Sequence, residues 1–105
     1  MALEAAGRRA HAPYSACPAA VVLRLGDGRL YAKAEHLQRT GSYKVRGATV
    51  RIAGLTPAER AAGVIAISAG NHGAAVAVAA GLLGVHAVVV MPTTAVRSKI
   101  EACRG

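Results

Sequence analysis

From Gly63 to Met91 the chain alternates two kinds of apolar run, and that alternation restricts the fold more than any other feature. Gly63-Val64-Ile65-Ala66-Ile67 is short and partly β-branched, which reads as a buried strand. It stops at a polar turn, Ser68-Ala69-Gly70-Asn71-His72-Gly73. From Ala74 to Leu83 alanine and valine dominate, the composition of a buried helix. Gly84-Val85-His86 interrupts the run, and Ala87-Val88-Val89-Val90-Met91 is β-branched again. Strand, helix and strand in that order, with apolar strands, is the pattern of a parallel βαβ unit in a three-layer α/β fold. Gly73 to Met91 also approaches the length of a bilayer core, with His86 as its one strongly polar side chain. The interruption at Gly84 and the change from alanine to valine favour a helix and a strand over a single span.

Other segments carry their own signals. Leu3 to Ala12 is a helix candidate, and Pro13 to Pro18 reads as irregular. Apolar runs on either side of Gly26-Asp27-Gly28 predict a β-hairpin over Ala20 to Glu35. Ser42 to Leu55 is helix-compatible. Thr56-Pro57-Ala58-Glu59 offers a capping hydroxyl, a proline at the first helical position and an acid at the third, so a second short helix starts there. A last helix is expected over Val96 to Cys103. With no internal repeat or low-complexity linker, residues 1–105 read as one domain.

Two places in this outline can do chemistry. A strand running through a tight polar turn into a helix makes an anion site, because the first N–H groups of the helix have no internal partners. Gly70 and Gly73 allow close backbone approach, and Ser68, Asn71 and His72 add hydrogen-bonding side chains. The dinucleotide pattern G-x-G-x-x-G and the P-loop pattern are both missing, so a small carboxylate or a single phosphate suits the turn better than a pyrophosphate. The second place is Lys44, within Thr40-Gly41-Ser42-Tyr43-Lys44-Val45-Arg46-Gly47-Ala48. A lysine is a nucleophile only when uncharged. The start of a helix disfavours a further positive charge, and a nearby Arg46 would act in the same sense. Lys44 is therefore a candidate for Schiff-base chemistry with an aldehyde cofactor, against the plainer reading of a surface lysine on an amphipathic helix.

Ala34 to Ala48 closely resembles the cofactor-lysine segment of the threonine/serine dehydratases, pyridoxal-phosphate lyases of the tryptophan-synthase-β fold (fold type II). Ser68-Ala69-Gly70-Asn71-His72-Gly73 is similar to their substrate-carboxylate loop, and Val88 to Ala95 with Lys99-Ile100-Glu101-Ala102 resembles a third stretch in the same order. The resemblance covers residues 29–105, with residues 1–20 poorly matched. It implies that Lys44 holds pyridoxal 5'-phosphate and serves as the catalytic base. Tyr43 and Asn71 would contact the cofactor, and Ser68, Ala69, Gly70, Asn71 and His72 the substrate carboxylate. The implied reaction is β-elimination of L-threonine or L-serine to a 2-keto acid and ammonia, in a homo-oligomeric parent enzyme. Racemases of the family carry an acid/base serine directly after the first serine of the loop, where this chain has Ala69, so a racemase is the alternative within the family. Outside it, the alternative is a non-catalytic remnant. The family's phosphate-binding glycine-rich loop and its partner for the pyridine nitrogen do not occur in residues 1–105, so the chain is expected to be an N-terminal part of a longer enzyme, inactive alone.

Composition bears on the remaining classes. The interior material is 25 alanines with valine and leucine, no Phe or Trp and three Tyr. Small side chains each bury little of the area that stabilises at roughly 25 cal/mol per Å². The formal charge of +8 permits attraction to nucleic acid, but the basic residues are scattered without aromatic interleaving or a zinc-finger signature, so no nucleic-acid partner is expected. Cys17 and Cys103 lack metal-ligand or redox spacing, and Met1-Ala2-Leu3-Glu4 lacks the start of a secretory signal. Both fit a cytoplasmic protein with no metal and no membrane. Glu35, His36, His11 and His86 read as structural polar residues, and Arg46 as structural rather than chemical.

Overall fold

The computed structural model describes residues 22–104. The helix candidate at Leu3–Ala12, the irregular Pro13–Pro18 and the first residues of the hairpin lie outside them. The hairpin forms as expected: β1 (Val22–Leu25) pairs antiparallel with β2 (Leu30–Lys33), with Val22 opposite Lys33 and Leu25 opposite Leu30. It is shorter than predicted, since Glu35–Leu37 is one 3-10 turn rather than strand. Helix α1 spans Lys44–Ala53 and α2 spans Pro57–Ala62. Strand β3 (Val64–Ile67), helix α3 (Asn71–Leu83) and strand β4 (Ala87–Val90) follow, then α4 (Arg97–Arg104).

β3 and β4 pair in parallel, Val64 with Ala87 and Ile67 with Val90, and α3 is the crossover that parallel strands require. Because side chains alternate along a strand, the pair has two distinct faces. Ala66 is buried and Val64, Ala87 and Val89 are half-buried on one, while Ile65, Ile67, Val88 and Val90 are exposed on the other. The inner face meets α3, which packs in turn against α1 and α4. The core is Val45, Ala48 and Ile52 of α1, Leu55, Ala66 of β3, Ala75, Val76, Ala79 and Ala80 of α3, and Val85. Positions 45, 48, 49 and 52 form one stripe of α1. The alanines opposite let the two helix backbones approach closely.

Local chemistry sets the boundaries. α2 starts with the capping box read from sequence: Glu59 N–H donates to Thr56 Oγ1 at 3.3 Å, and Thr56 N–H donates to Glu59 Oε2 at 2.7 Å. α3 ends at Gly84, after which Val85 N–H returns to the Ala80 carbonyl at 2.9 Å. Thr49, fully buried in α1, donates its hydroxyl to the Val45 carbonyl at 2.7 Å, so its polar atom has a partner inside the helix. Among the described residues no helix is long and apolar enough to cross a membrane.

Candidate active site

Lys44 is the first residue of α1, which starts two residues later than the expected Ser42 and keeps the lysine in the first turn. Residues 40–43 form a bend ahead of the helix instead. Gly41 has φ +66°, a conformation that favours glycine, and its N–H donates to the Gln38 carbonyl at 2.8 Å. Ser42 is buried, and its Oγ accepts the Lys44 N–H at 3.4 Å. This bend turns the Lys44 side chain outward. Its Nζ stands 5.1 Å from the centre of the Tyr43 ring, which is 61% exposed.

Arg46 is paired with an acid. Its Nε donates to both oxygens of Glu35, at 2.9 and 3.0 Å, and both side chains are largely shielded from solvent. The 3-10 turn after β2 brings Glu35 to that position. The pair ties the hairpin to α1 and makes Arg46 structural, as read from sequence. Glu35, read as a plain strand-end residue, is the partner that sequence reasoning missed. No local pattern marks a contact across eleven positions.

The Ser68–Gly73 turn joins β3 to α3. Ser68 Oγ accepts two backbone N–H groups, from Gly70 at 3.2 Å and from Gly73 at 3.1 Å, and so shapes the turn. A hydroxyl with both acceptor positions engaged still has its proton to donate. Ala74 N–H donates to the Gly70 carbonyl at 3.4 Å. The N–H groups of Asn71 and His72 have no partner among the described residues, the condition for an anion at a helix start. Gly70 has open space where a Cβ would stand, whereas a Cβ at Gly73 would lie 2.8 Å from the Ser68 carbonyl oxygen and 2.9 Å from Val89 Cγ1. Asn71, His72 and Ala69 are exposed, and Asn71 Oδ1 accepts a hydrogen bond from Lys99 Nζ of α4 at 3.0 Å.

The turn and Lys44 therefore stand at the starts of two helices packed on each other, α3 and α1. No hydrogen bond links them among the described residues. A cleft of about 370 Å³ opens between α1, β3 and α3, lined by Ala48, Ile52, Val64, Val76 and His72 among others. It is mainly apolar, with Arg51 and His72 as its polar lining, reaches the turn through His72 and does not include Lys44. Among the described residues no group of His, Cys, Asp and Glu could hold a metal ion.

Residues 13–105 match the family described as pyridoxal-phosphate dependent enzyme. The chain belongs to that family, which makes pyridoxal phosphate its cofactor. It is 48% identical over 85 residues to an L-threonine ammonia-lyase of Thermotoga maritima, a match spanning 81% of this chain and 21% of that protein. The fold matches a serine racemase from Dictyostelium discoideum with a TM-score of 0.84 and 35% identity, over all of this chain and 36% of that one. It also matches the processed form of threonine deaminase isoform 2 from Solanum lycopersicum with a TM-score of 0.80 and 36% identity, over 97% of this chain and 30% of that one. The chain thus spans about a fifth of the length of the first curated relative and about a third of the solved ones. The expected α/β fold of type II is confirmed, and so is the cofactor.

The donor set fits this cofactor. An outward primary amine is the group that bonds an aldehyde. Two unpartnered backbone N–H groups beside an exposed amide are the groups that receive a carboxylate or a ring oxygen.

Proposed function

We propose that this chain supplies the lysine and the carboxylate turn of a pyridoxal-phosphate lyase that deaminates L-threonine or L-serine. The observation that carries the reading is the shared placement of Lys44 and the Ser68–Gly73 turn at the starts of two mutually packed helices. Residues 1–105 are read as part of one such enzyme domain, in a homo-oligomeric parent working in the cytoplasm.

Bound pyridoxal phosphate supplies an electron sink for the charge that develops on the substrate's α-carbon. The protein's own residues have four tasks. Lys44 Nζ would hold the cofactor's aldehyde carbon and, once free, would take the substrate's α-proton. The N–H groups of Asn71 and His72 bind the substrate carboxylate, with the proton of Ser68 as a further donor, while Ala69 and Gly70 leave room for it. Asn71 would also donate to the cofactor's ring oxygen. Tyr43 borders the lysine, its ring against Nζ. Removal of the α-proton and departure of the β-hydroxyl as water, followed by hydrolysis, yield a 2-keto acid and ammonia.

A racemase is the second reading, supported by the likeness to the solved serine racemase. It needs an acid on the opposite face of the substrate, and the alanine methyl at position 69 has no proton to give. Incubating the parent enzyme, rather than residues 1–105 alone, with pyridoxal phosphate and L-threonine or L-serine distinguishes the outcomes. Release of 2-keto acid supports the lyase. D-serine without keto acid supports the racemase, and neither product supports a non-catalytic remnant.

A further inference from the structure

We propose that Lys99 is a positioning residue that fixes which end of the Asn71 amide faces the ligand. The inference rests on the proposed site and adds to it a group from α4. An asparagine side chain carries an acceptor at one end and two donors at the other, and the two ends have nearly the same shape. Which end faces a ligand is decided by what the other end meets. A lysine ammonium has three donors and no acceptor, so it can hold the oxygen and never the nitrogen. Lys99 Nζ is 3.0 Å from Asn71 Oδ1, and the two residues are 28 positions apart in sequence. The contact is therefore a tertiary one, made because α4 packs against α3.

Lys99 is itself positioned. It belongs to the first turn of α4, where its N–H donates to the Val96 carbonyl at 2.9 Å, and it is half-buried. With Oδ1 engaged, Asn71 has only its Nδ2 hydrogens to offer. The N–H groups of Asn71 and His72 at the same helix end are donors as well. All three groups then present hydrogen, which selects a ligand edge made of oxygen acceptors and rejects one that brings an N–H or O–H. The ammonium on Oδ1 also polarises the amide and strengthens Nδ2 as a donor. Without Lys99 the amide can turn over and place its own oxygen against the ligand's.

The test is a double-mutant cycle on the full chain, with pyridoxal phosphate as the probe, following its apparent affinity and the Asn71 side-chain NH₂ resonances. Lys99→Met keeps the stem and removes the donor. It is expected to weaken the cofactor about tenfold, the loss of one charge-assisted hydrogen bond, and to shift the NH₂ resonances, while Lys99→Arg retains most of the affinity. In an Asn71→Ala background Lys99→Met should change the affinity little. An equal loss in that background means that the lysine charge acts on the ligand directly or through the fold, and overturns the proposal. So does a Lys99→Met variant that binds as the parent does. Borohydride reduction followed by peptide mapping separates the two levels. Pyridoxyl on Lys44 with an unaffected Lys99→Met variant overturns the positioning role alone, and no pyridoxyl on Lys44 in the parent overturns the site and the positioning role together.

Discussion

Gly73 is where a single side chain is least tolerated. A Cβ there would press on the Ser68 carbonyl oxygen, which is backbone, as well as on the more adaptable Val89 side chain. Gly73→Ala is expected to lose about 1–3 kcal/mol of stability in chemical denaturation, the usual cost of overpacking, and to disturb the turn that Ser68 organises. Gly81 offers the contrast. It also lies in α3 but has nothing within contact of a built Cβ. Gly81→Ala should gain up to about 1 kcal/mol through helix propensity alone. The residue types at the site were legible in the sequence, because Lys44, Asn71 and the two glycines lie in short motifs. Their partners were not. Glu35 with Arg46 and Lys99 with Asn71 are contacts between distant segments, and only the placement of the 3-10 turn beside Arg46 and the packing of α4 against α3 create them.

Among the elements, α2 shows best how far local sequence reaches. Six residues make a poor helix alone, so the cap matters. Glu59 accepts the Thr56 N–H and then its hydroxyl, and these bonds hold its carboxyl below the usual glutamate range. A carboxyl lowered in the folded state contributes stability above its unfolded range, and that contribution is lost as pH falls through the lowered value. Glu59→Gln should therefore lower stability at neutral pH and converge with the parent as pH falls through the lowered value, which flattens the acid limb of a stability-against-pH curve. Thr56→Ala should cost roughly 1 kcal/mol at neutral pH. The strands and helices from Val64 onward fell within a residue or two of their predicted limits, because β3, α3 and β4 are apolar runs bounded by glycine, proline or the polar turn at Ser68. The short hairpin and the late start of α1 were less legible. The 3-10 turn at Glu35 and the bend at Gly41 depend on backbone geometry that composition does not reveal.

Over the whole molecule, burial is uneven. Ile52 is 3% exposed between α1 and α3, and Ile67 is 83% exposed on the outer face of β3–β4. Ile52→Ala should cost about 2–5 kcal/mol, whereas Ile67→Thr should change stability by no more than about 0.5 kcal/mol. A thermal melt of the two variants checks that difference. The open outer face agrees with a chain spanning a fraction of its relatives' length. The central claim concerns one nitrogen, and the sequence offers three lysines to choose among: Lys33, Lys44 and Lys99. The most direct measurement is to add pyridoxal phosphate, reduce with borohydride and map the modified peptides. The account predicts pyridoxyl on Lys44 in preference to Lys33 and Lys99, and its disappearance in Lys44→Arg with no rise elsewhere. Equal labelling of all three, or labelling that passes over Lys44, would contradict it.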